Sequence, residues 1–205
     1  MYFLTPSNPI YKDFISDKII FSNQNDYQYV KSKTNISKGE ILMKEYPKIN
    51  LFGELEIDKG LQIIKKYIEL KENELYPRNY NYKKTKMIKN VHKIINNTPK
   101  FKNFFDNLSN SEIEYYYAKY IFNTFEGGRY GPLTLPLTAK LNHSCKPNVE
   151  FRFDEKTGQM ITYAISDIRK GEEIFDSYLT KKIIKSHKEY LEEHYGFSCN
   201  CNCKL

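Results

Sequence analysis

Four cysteines are the residues whose number and spacing point most directly to chemistry. Cys145 stands alone, whereas Cys199, Cys201 and Cys203 fall within five residues near the end of the sequence. Zinc prefers four thiolate or imidazole ligands in a tetrahedral array, and these cysteines supply that number without remainder. On an extended strand the three clustered cysteines would lie about 6.6 Å apart, too far for one ion, so the chain must turn there. The sequence predicts a zinc site, and an unmetallated, oxidisable tail is the alternative.

A second group of residues forms two polar segments separated by about twenty positions. The first segment, LNHSCKPNV, runs from Leu141 to Val149, and the second, DIRKGEEIFDSY, runs from Asp167 to Tyr178. Together they resemble the two signature segments of the SET-domain family, in which NHSCxPN is followed by GEEIxxxY. The pair of motifs at this distance is highly specific.

Further segments extend the resemblance toward the SMYD branch of that family. Residues 35–42, NISKGEIL, look like an early SET strand and turn. Residues 122–125, FNTF, resemble the CNSF-type segment of SMYD proteins, and residues 195–201, YGFSCNC, resemble their YxFxCxC post-SET entry. SMYD relatives also carry a zinc-binding MYND module, but residues 51–140 contain no cysteine and a single histidine, His92. We therefore expect the MYND module to be absent.

The resemblance implies an S-adenosylmethionine-dependent protein lysine N-methyltransferase. Lysine is protonated near neutral pH and is not nucleophilic, so such an enzyme must bind it where deprotonation is feasible and align it with the sulfonium methyl. By resemblance, Tyr178 supplies the catalytic hydroxyl beside the transferred methyl, while Phe125 and Tyr195 line the substrate channel. A Tyr or Phe outside a motif is more often a packing residue, and this remains the alternative for Phe125 and Tyr195.

The resemblance also implies a set of cofactor contacts. Asn142 and His143 would lie against the cofactor, with Asn142 pinning the threaded segment of the fold and His143 acting as neither general base nor metal ligand. Asn123 would contact the amino-acid end of the cofactor, and Phe197 would pack on its adenine ring. Tyr178 would also contact the cofactor. Structural roles are the alternatives for Asn123, His143 and Phe197.

One segment departs from the family pattern. Where SET proteins carry GxG, this sequence has Tyr27-Gln28-Tyr29. Residues two apart on a strand face the same side, so both tyrosine rings can turn away together. Cofactor contact would then come from backbone groups of Gln28, Tyr29 and Val30. Alternatively the rings fill the pocket, and the protein is a catalytically inactive SET-like binding module.

Apolar periodicity predicts an α+β fold, a SET β core with a helical insert, a C-terminal helix and a zinc-binding post-SET segment. β-like stretches occur at residues 19–21, 27–30 and 41–43, and residues 149–153 and 160–165 suggest a hairpin. Helical spacing dominates from about residue 58 to 125, with a capping box at Ser109 and Glu112. The prediction is one SET domain over residues 1–205, with a split core (19–50 and 115–180), a helical insert (51–125) and a post-SET segment (181–205).

Charge and hydropathy limit the kinds of partner that the sequence predicts. The net charge is +7, from lysines spread along the chain, which favours a solvated basic surface over a dedicated polyanion site. Weak contact with nucleic acid or nucleosomal DNA is the alternative. No run of 18 apolar residues and no signal-like N-terminus is present, so we expect no membrane association and an intracellular protein, nuclear or cytoplasmic. The expected partner is a protein substrate, either a histone tail or another protein, and no feature indicates an oligomeric state.

Overall fold

The computed structural model describes residues 12–24, 27–50, 56–71, 75–78, 82–127, 131–179 and 186–199. These residues form two units. The helical unit takes its described residues from 49–134 and 185–198. The β unit takes its described residues from the chain up to 48, from 135–184 and from 199 onward. That residues 1–205 act as one domain stays a prediction.

The described strands are β1 (Phe14–Ile15), β2 (Ile19–Gln24), β3 (Tyr27–Ser32), β4 (Ile41–Glu45), β5 (Ile49–Asn50), β6 (Thr124–Glu126), β7 (Pro132–Thr134), β8 (Asn142–His143), β9 (Val149–Asp154), β10 (Gln159–Ala164) and β11 (Phe175–Asp176). In the β unit, β1, β4, β10 and β9 form an antiparallel sheet in that order. There β2 and β3 also form an antiparallel hairpin, and β8 pairs with β11 in parallel. In the helical unit, β5, β7 and β6 form a small antiparallel sheet in that order.

Buried and partly exposed side chains alternate along strand β3. Along β3, Val30 and Ser32 are buried, whereas Tyr29 and Lys31 are partly exposed, as expected when successive side chains point to opposite faces. The predicted hairpin is confirmed, since β9 and β10 pair from Asp154 opposite Gln159 to Val149 opposite Ala164. Gly158 closes its turn at φ 72°, in the left-handed region that glycine adopts without strain.

The core of the β unit joins residues from both signature regions to the early strands. Its buried members are apolar side chains contributed by several strands and loops: Ile19, Val30, Ile36, Leu42, Met43, Leu141, Val149, Ala164, Ile168 and Ile174. Burial of these side chains holds three parts of the chain together: strand β3, the segment that begins at Leu141 and the segment that ends at Ile174. The candidate site is built on this core.

The helical unit contains the predicted amphipathic helices. They are α1 (Glu56–Glu69), α2 (Lys86–Lys89), α3 (Val91–Asn96), α4 (Pro99–Phe105), α5 (Asn110–Asn123) and α6 (His187–Tyr195). The capping box is confirmed, because Ser109 and Glu112 satisfy each other's backbone N–H groups at the start of α5. Gly196 ends α6 with φ 78°, the left-handed C-terminal position predicted for it. The predicted helical stretch ends at Asn123, and Phe125 lies in β6.

Candidate active site and metal centre

The two signature segments lie side by side in the β unit. Strand β8 runs parallel to β11, with Asn142 opposite Phe175 and His143 opposite Asp176. The Ser144 N–H donates to the Asp176 carbonyl at 2.8 Å, which continues the contact beyond the strands. Two segments more than thirty positions apart in sequence therefore pair as short parallel strands. We call this pair, β8 with β11, the parallel crossing.

Side-chain amides fix this crossing. The Asn142 amide donates to the Gln28 carbonyl at 2.7 Å and to Glu173 Oε1 at 2.8 Å. The Asn148 amide donates to the Glu173 carbonyl at 2.9 Å, and its Oδ1 accepts the Phe175 N–H at 2.8 Å. The Asn142 side chain therefore ties β8 both to β3 and to Glu173. Asn148 and Glu173 were not among the predicted site residues, although both stand inside the signature motifs.

Tyr178 is held at two points. Its hydroxyl donates to the Leu141 carbonyl at 2.7 Å, and its backbone N–H donates to His143 Nδ1 at 3.0 Å. The rings of Tyr178 and His143 also contact each other, with centroids 5.3 Å apart. The donated hydrogen bond to Leu141 sets the direction of the hydroxyl. A hydroxyl fixed in this way can orient an amine.

The segment in place of GxG is engaged by the rest of the β unit. Val30 is fully buried in the core, and its carbonyl accepts the Ile174 N–H at 2.8 Å. Val30 can therefore reach a ligand only through its backbone. The Tyr29 ring lies 4.6 Å from Lys31 Nζ, its neighbour two residues along the same face. The side chain of Tyr27 lies outside the described residues.

Cys145 and Cys199 approach each other closely enough to share a metal ion. Their Sγ atoms are 3.7 Å apart, far longer than the roughly 2.05 Å of a disulfide. Two thiolates bound tetrahedrally to zinc at about 2.3 Å would lie about 3.8 Å apart, which matches this spacing. Cys201 and Cys203 lie outside the described residues. The described cysteines therefore fit two corners of the predicted zinc site.

His143 also lies at this cluster. Its ligand nitrogen and the Cys145 and Cys199 sulfurs all fall within 4.8 Å of one another, with Nε2 3.3 Å from Cys145 Sγ. Nδ1, however, accepts the backbone N–H of Tyr178 and so carries no proton. A neutral imidazole then carries its proton on Nε2, which makes that atom a donor to sulfur and not a metal ligand.

Asp176 brings a titratable group to the crossing. It is buried in β11, and burial, with a smaller contribution from the charge of Glu150, raises its pKa to about 7. Asp176 was not predicted from the sequence, since a single Asp within a motif gives no signal of its burial.

Four predicted site residues lie in the helical unit. Asn123 is buried, and its amide donates to the Tyr76 carbonyl at 2.5 Å and to the Lys119 carbonyl at 2.8 Å. Both hydrogen bonds of the Asn123 amide group therefore lie within the helical unit. Phe125 is half-buried in β6, Tyr195 ends α6, and Phe197 is 36% exposed. Their contacts with a cofactor or substrate stay predictions.

The fold and the parallel crossing define a SET-domain protein, and comparison with known sequences bears this out. The family model described as "SET domain" matches residues 27–179, and the chain belongs to that family. The "Putative SET domain-containing protein L678" of Acanthamoeba polyphaga mimivirus is 33% identical over 186 residues, which cover 82% of this chain and 69% of that protein. "N-lysine methyltransferase SMYD2-B" of Xenopus laevis is 31% identical over 101 residues, which cover 46% of this chain and 23% of that protein.

A solved structure supports the same fold. "Crystal structure of the SET domain of LSMT bound to Lysine and AdoHcy" superposes with a TM-score of 0.60 at 14% identity and covers 88% of this chain and 53% of that chain. The predicted α+β SET fold and the similarity to the SMYD branch are confirmed. Among the described residues, no helix combines the length and apolarity that a membrane crossing requires.

Proposed function

We propose that this protein is an S-adenosylmethionine-dependent protein lysine N-methyltransferase. The observation that carries the proposal is the fixed hydroxyl of Tyr178, which donates to the Leu141 carbonyl beside the parallel crossing. The name of the Xenopus relative and the ligands of the solved SET domain support the same activity. The substrate is a lysine of a histone or of another protein.

The chain's own residues would perform orientation, not proton abstraction. S-adenosylmethionine, when bound, supplies an electrophilic methyl group on its sulfonium. The Tyr178 oxygen accepts a hydrogen bond from the substrate amine and so directs its lone pair, a contribution of proximity and orientation. Aromatic walls from Phe125 and Tyr195 would desolvate the lysine and lower its pKa from the ordinary value of about 10.4, which makes the neutral amine accessible.

Backbone groups of Gln28, Tyr29 and Val30 are proposed to hold the cofactor together with Asn123, Asn142, His143 and Phe197. Support comes from the amide of Asn142, which ties the Gln28 carbonyl to the crossing that carries Tyr178. Zinc would be held by Cys145, Cys199, Cys201 and Cys203, supported by the spacing of the first two sulfurs. The metal would fix the post-SET residues to the segment that follows β8, with no part in the chemistry.

The test uses labelled S-adenosylmethionine with a panel of proteins, followed by mass spectrometry of modified lysines. Tyr178→Phe should bind the cofactor normally in calorimetry but lower kcat at least about tenfold, because it loses only the positioning hydroxyl. Tyr163→Phe is the matched control, since its hydroxyl bonds Glu150 on the surface of β10. Wild-type protein that binds no cofactor would instead support the SET-like binding module, and equal turnover in both variants would remove Tyr178 from catalysis.

A further inference from the structure

One imidazole ring touches both chemical features of the β unit. His143 Nδ1 lies 3.0 Å from the backbone nitrogen of Tyr178, and Nε2 lies 3.3 Å from Cys145 Sγ. The ring also packs against the ring of Tyr178. The two nitrogens of a histidine are chemically distinct, and the partner of one decides what the other can do.

The backbone N–H of Tyr178 sets the direction of both hydrogen bonds that the His143 ring makes. A backbone N–H can only donate, so Nδ1 must present its lone pair to Tyr178. The neutral ring then carries its hydrogen on Nε2, where it points at Cys145 Sγ. A thiolate is a good acceptor for that hydrogen, and a metal-bound cysteine is a thiolate. The arrangement is satisfied at both ends only in this tautomer.

We propose that His143 is a positioning residue that links the metal-binding sulfur of Cys145 to the backbone of Tyr178. The Cys145 thiolate holds the proton on Nε2, and the bare Nδ1 in turn fixes the Tyr178 N–H and hence the place from which the Tyr178 hydroxyl reaches Leu141. In the other direction, the Nε2–H bond orients Cys145 and slows release of the metal. This inference rests on the proposed zinc site and the proposed methyl transfer.

Two substitutions test the two hydrogen bonds of His143 separately. Asn carries its side-chain oxygen on Cγ, as His carries Nδ1, so His143→Asn keeps an acceptor for the Tyr178 N–H and loses the donor to Cys145. Gln places an amide N–H₂ near the position of Nε2, so His143→Gln keeps the donor to sulfur and loses the acceptor. His187→Asn, at the start of α6, controls for loss of a histidine elsewhere.

The experiment uses the zinc-loaded full chain and three readouts. Zinc release to a colorimetric chelator should be about tenfold faster in His143→Asn and unchanged in His143→Gln, the size expected for loss of a hydrogen bond to a ligand. The hydrogen bond to Nδ1 should move the Tyr178 amide proton downfield in the NMR spectrum of the wild type. This shift should persist in the Asn variant and disappear in the Gln variant. Turnover is read in the Gln variant, where loss of the acceptor for the Tyr178 N–H should lower kcat and leave the KM for the protein substrate unchanged.

The nitrogen shifts of His143 in the wild-type protein test the tautomer directly, without any substitution. A proton on Nε2 alone is the expected result, and a proton on Nδ1 overturns the proposal. Equal zinc release from all variants, or wild-type protein that retains no zinc, also overturns it. If the tautomer, the Tyr178 amide and zinc release behave as expected but no lysine is methylated, the linkage stands and the proposed activity fails.

Discussion

Glu45 offers a sharp test of how the crossing is supported. It is 1% exposed at the end of β4, and its carboxylate accepts the N–H groups of Leu137 and Thr138 at 2.6 and 2.8 Å and the Thr138 hydroxyl at 2.8 Å. These residues begin the turn that leads into Leu141 and β8. Burial, which outweighs these three hydrogen bonds, raises the pKa of Glu45 from 4.5 to about 7.

The sign and size of the effect follow from this pKa. A carboxyl group whose pKa is higher in the folded state binds more protons there, so its contribution to stability is complete below the unfolded pKa and is lost as pH rises through the folded one. Since a tenfold change in a proton-binding constant is about 1.4 kcal/mol, a rise from 4.5 to about 7 corresponds to about 3 kcal/mol in total. About 2 kcal/mol of this should disappear between about pH 5.5 and about pH 8.

Glu45→Gln removes the titration and keeps the shape of the side chain. We expect the free energy of unfolding, measured by urea denaturation, to fall between these two pH values by about 2 kcal/mol more in the wild type than in the variant. Other titrating groups and any pH-dependent loss of metal are common to both proteins and cancel. Glu69→Gln, on the exposed end of α1, is the matched control and should retain the wild-type slope. Equal slopes in wild type and Glu45→Gln would refute the reasoning.

Four further changes test other parts of the structure. Thr162→Val should raise the free energy of unfolding by about 1 kcal/mol, because the Thr162 hydroxyl is buried in β10 with no hydrogen-bond partner among the described residues; a loss of stability in denaturation would show that the hydroxyl is satisfied. Ser109→Ala should cost about 1 kcal/mol through loss of the capping box with Glu112, seen as a lower melting temperature. Cys145→Ser should reduce bound zinc from about one ion per chain to a small fraction, as measured by elemental analysis, and unchanged metal content would remove Cys145 from the ligand set. Tyr29→Gly should change S-adenosylmethionine affinity only modestly in calorimetry, because the ring lies beside Lys31 on the face opposite Val30; a large gain of binding would mean that the ring fills the cofactor pocket.

Local patterns in the sequence predicted much of the fold. The helices around Leu61, Phe105 and Ile113 and the hairpin of β9 and β10 are confirmed, because each depends on periodicity and turn residues within a short stretch. The family was also evident from the sequence, since its signature consists of contiguous motifs. The roles of individual site residues stay predictions, because a motif gives the identity of a side chain and not its partner.

The sequence by itself therefore determined the residue types that the site requires: the two signature segments, the hydroxyl of Tyr178 and four cysteines in number for one zinc ion. Only the tertiary structure decided which atoms meet. It joined Asn142 to a carbonyl 114 residues away, used both amide protons of Asn123 within the helical unit, and placed the ring of His143 between Cys145 and Tyr178. The physical reason is that hydrogen bonds between distant segments depend on strand register and on burial of a shared core, and no local propensity specifies either of these.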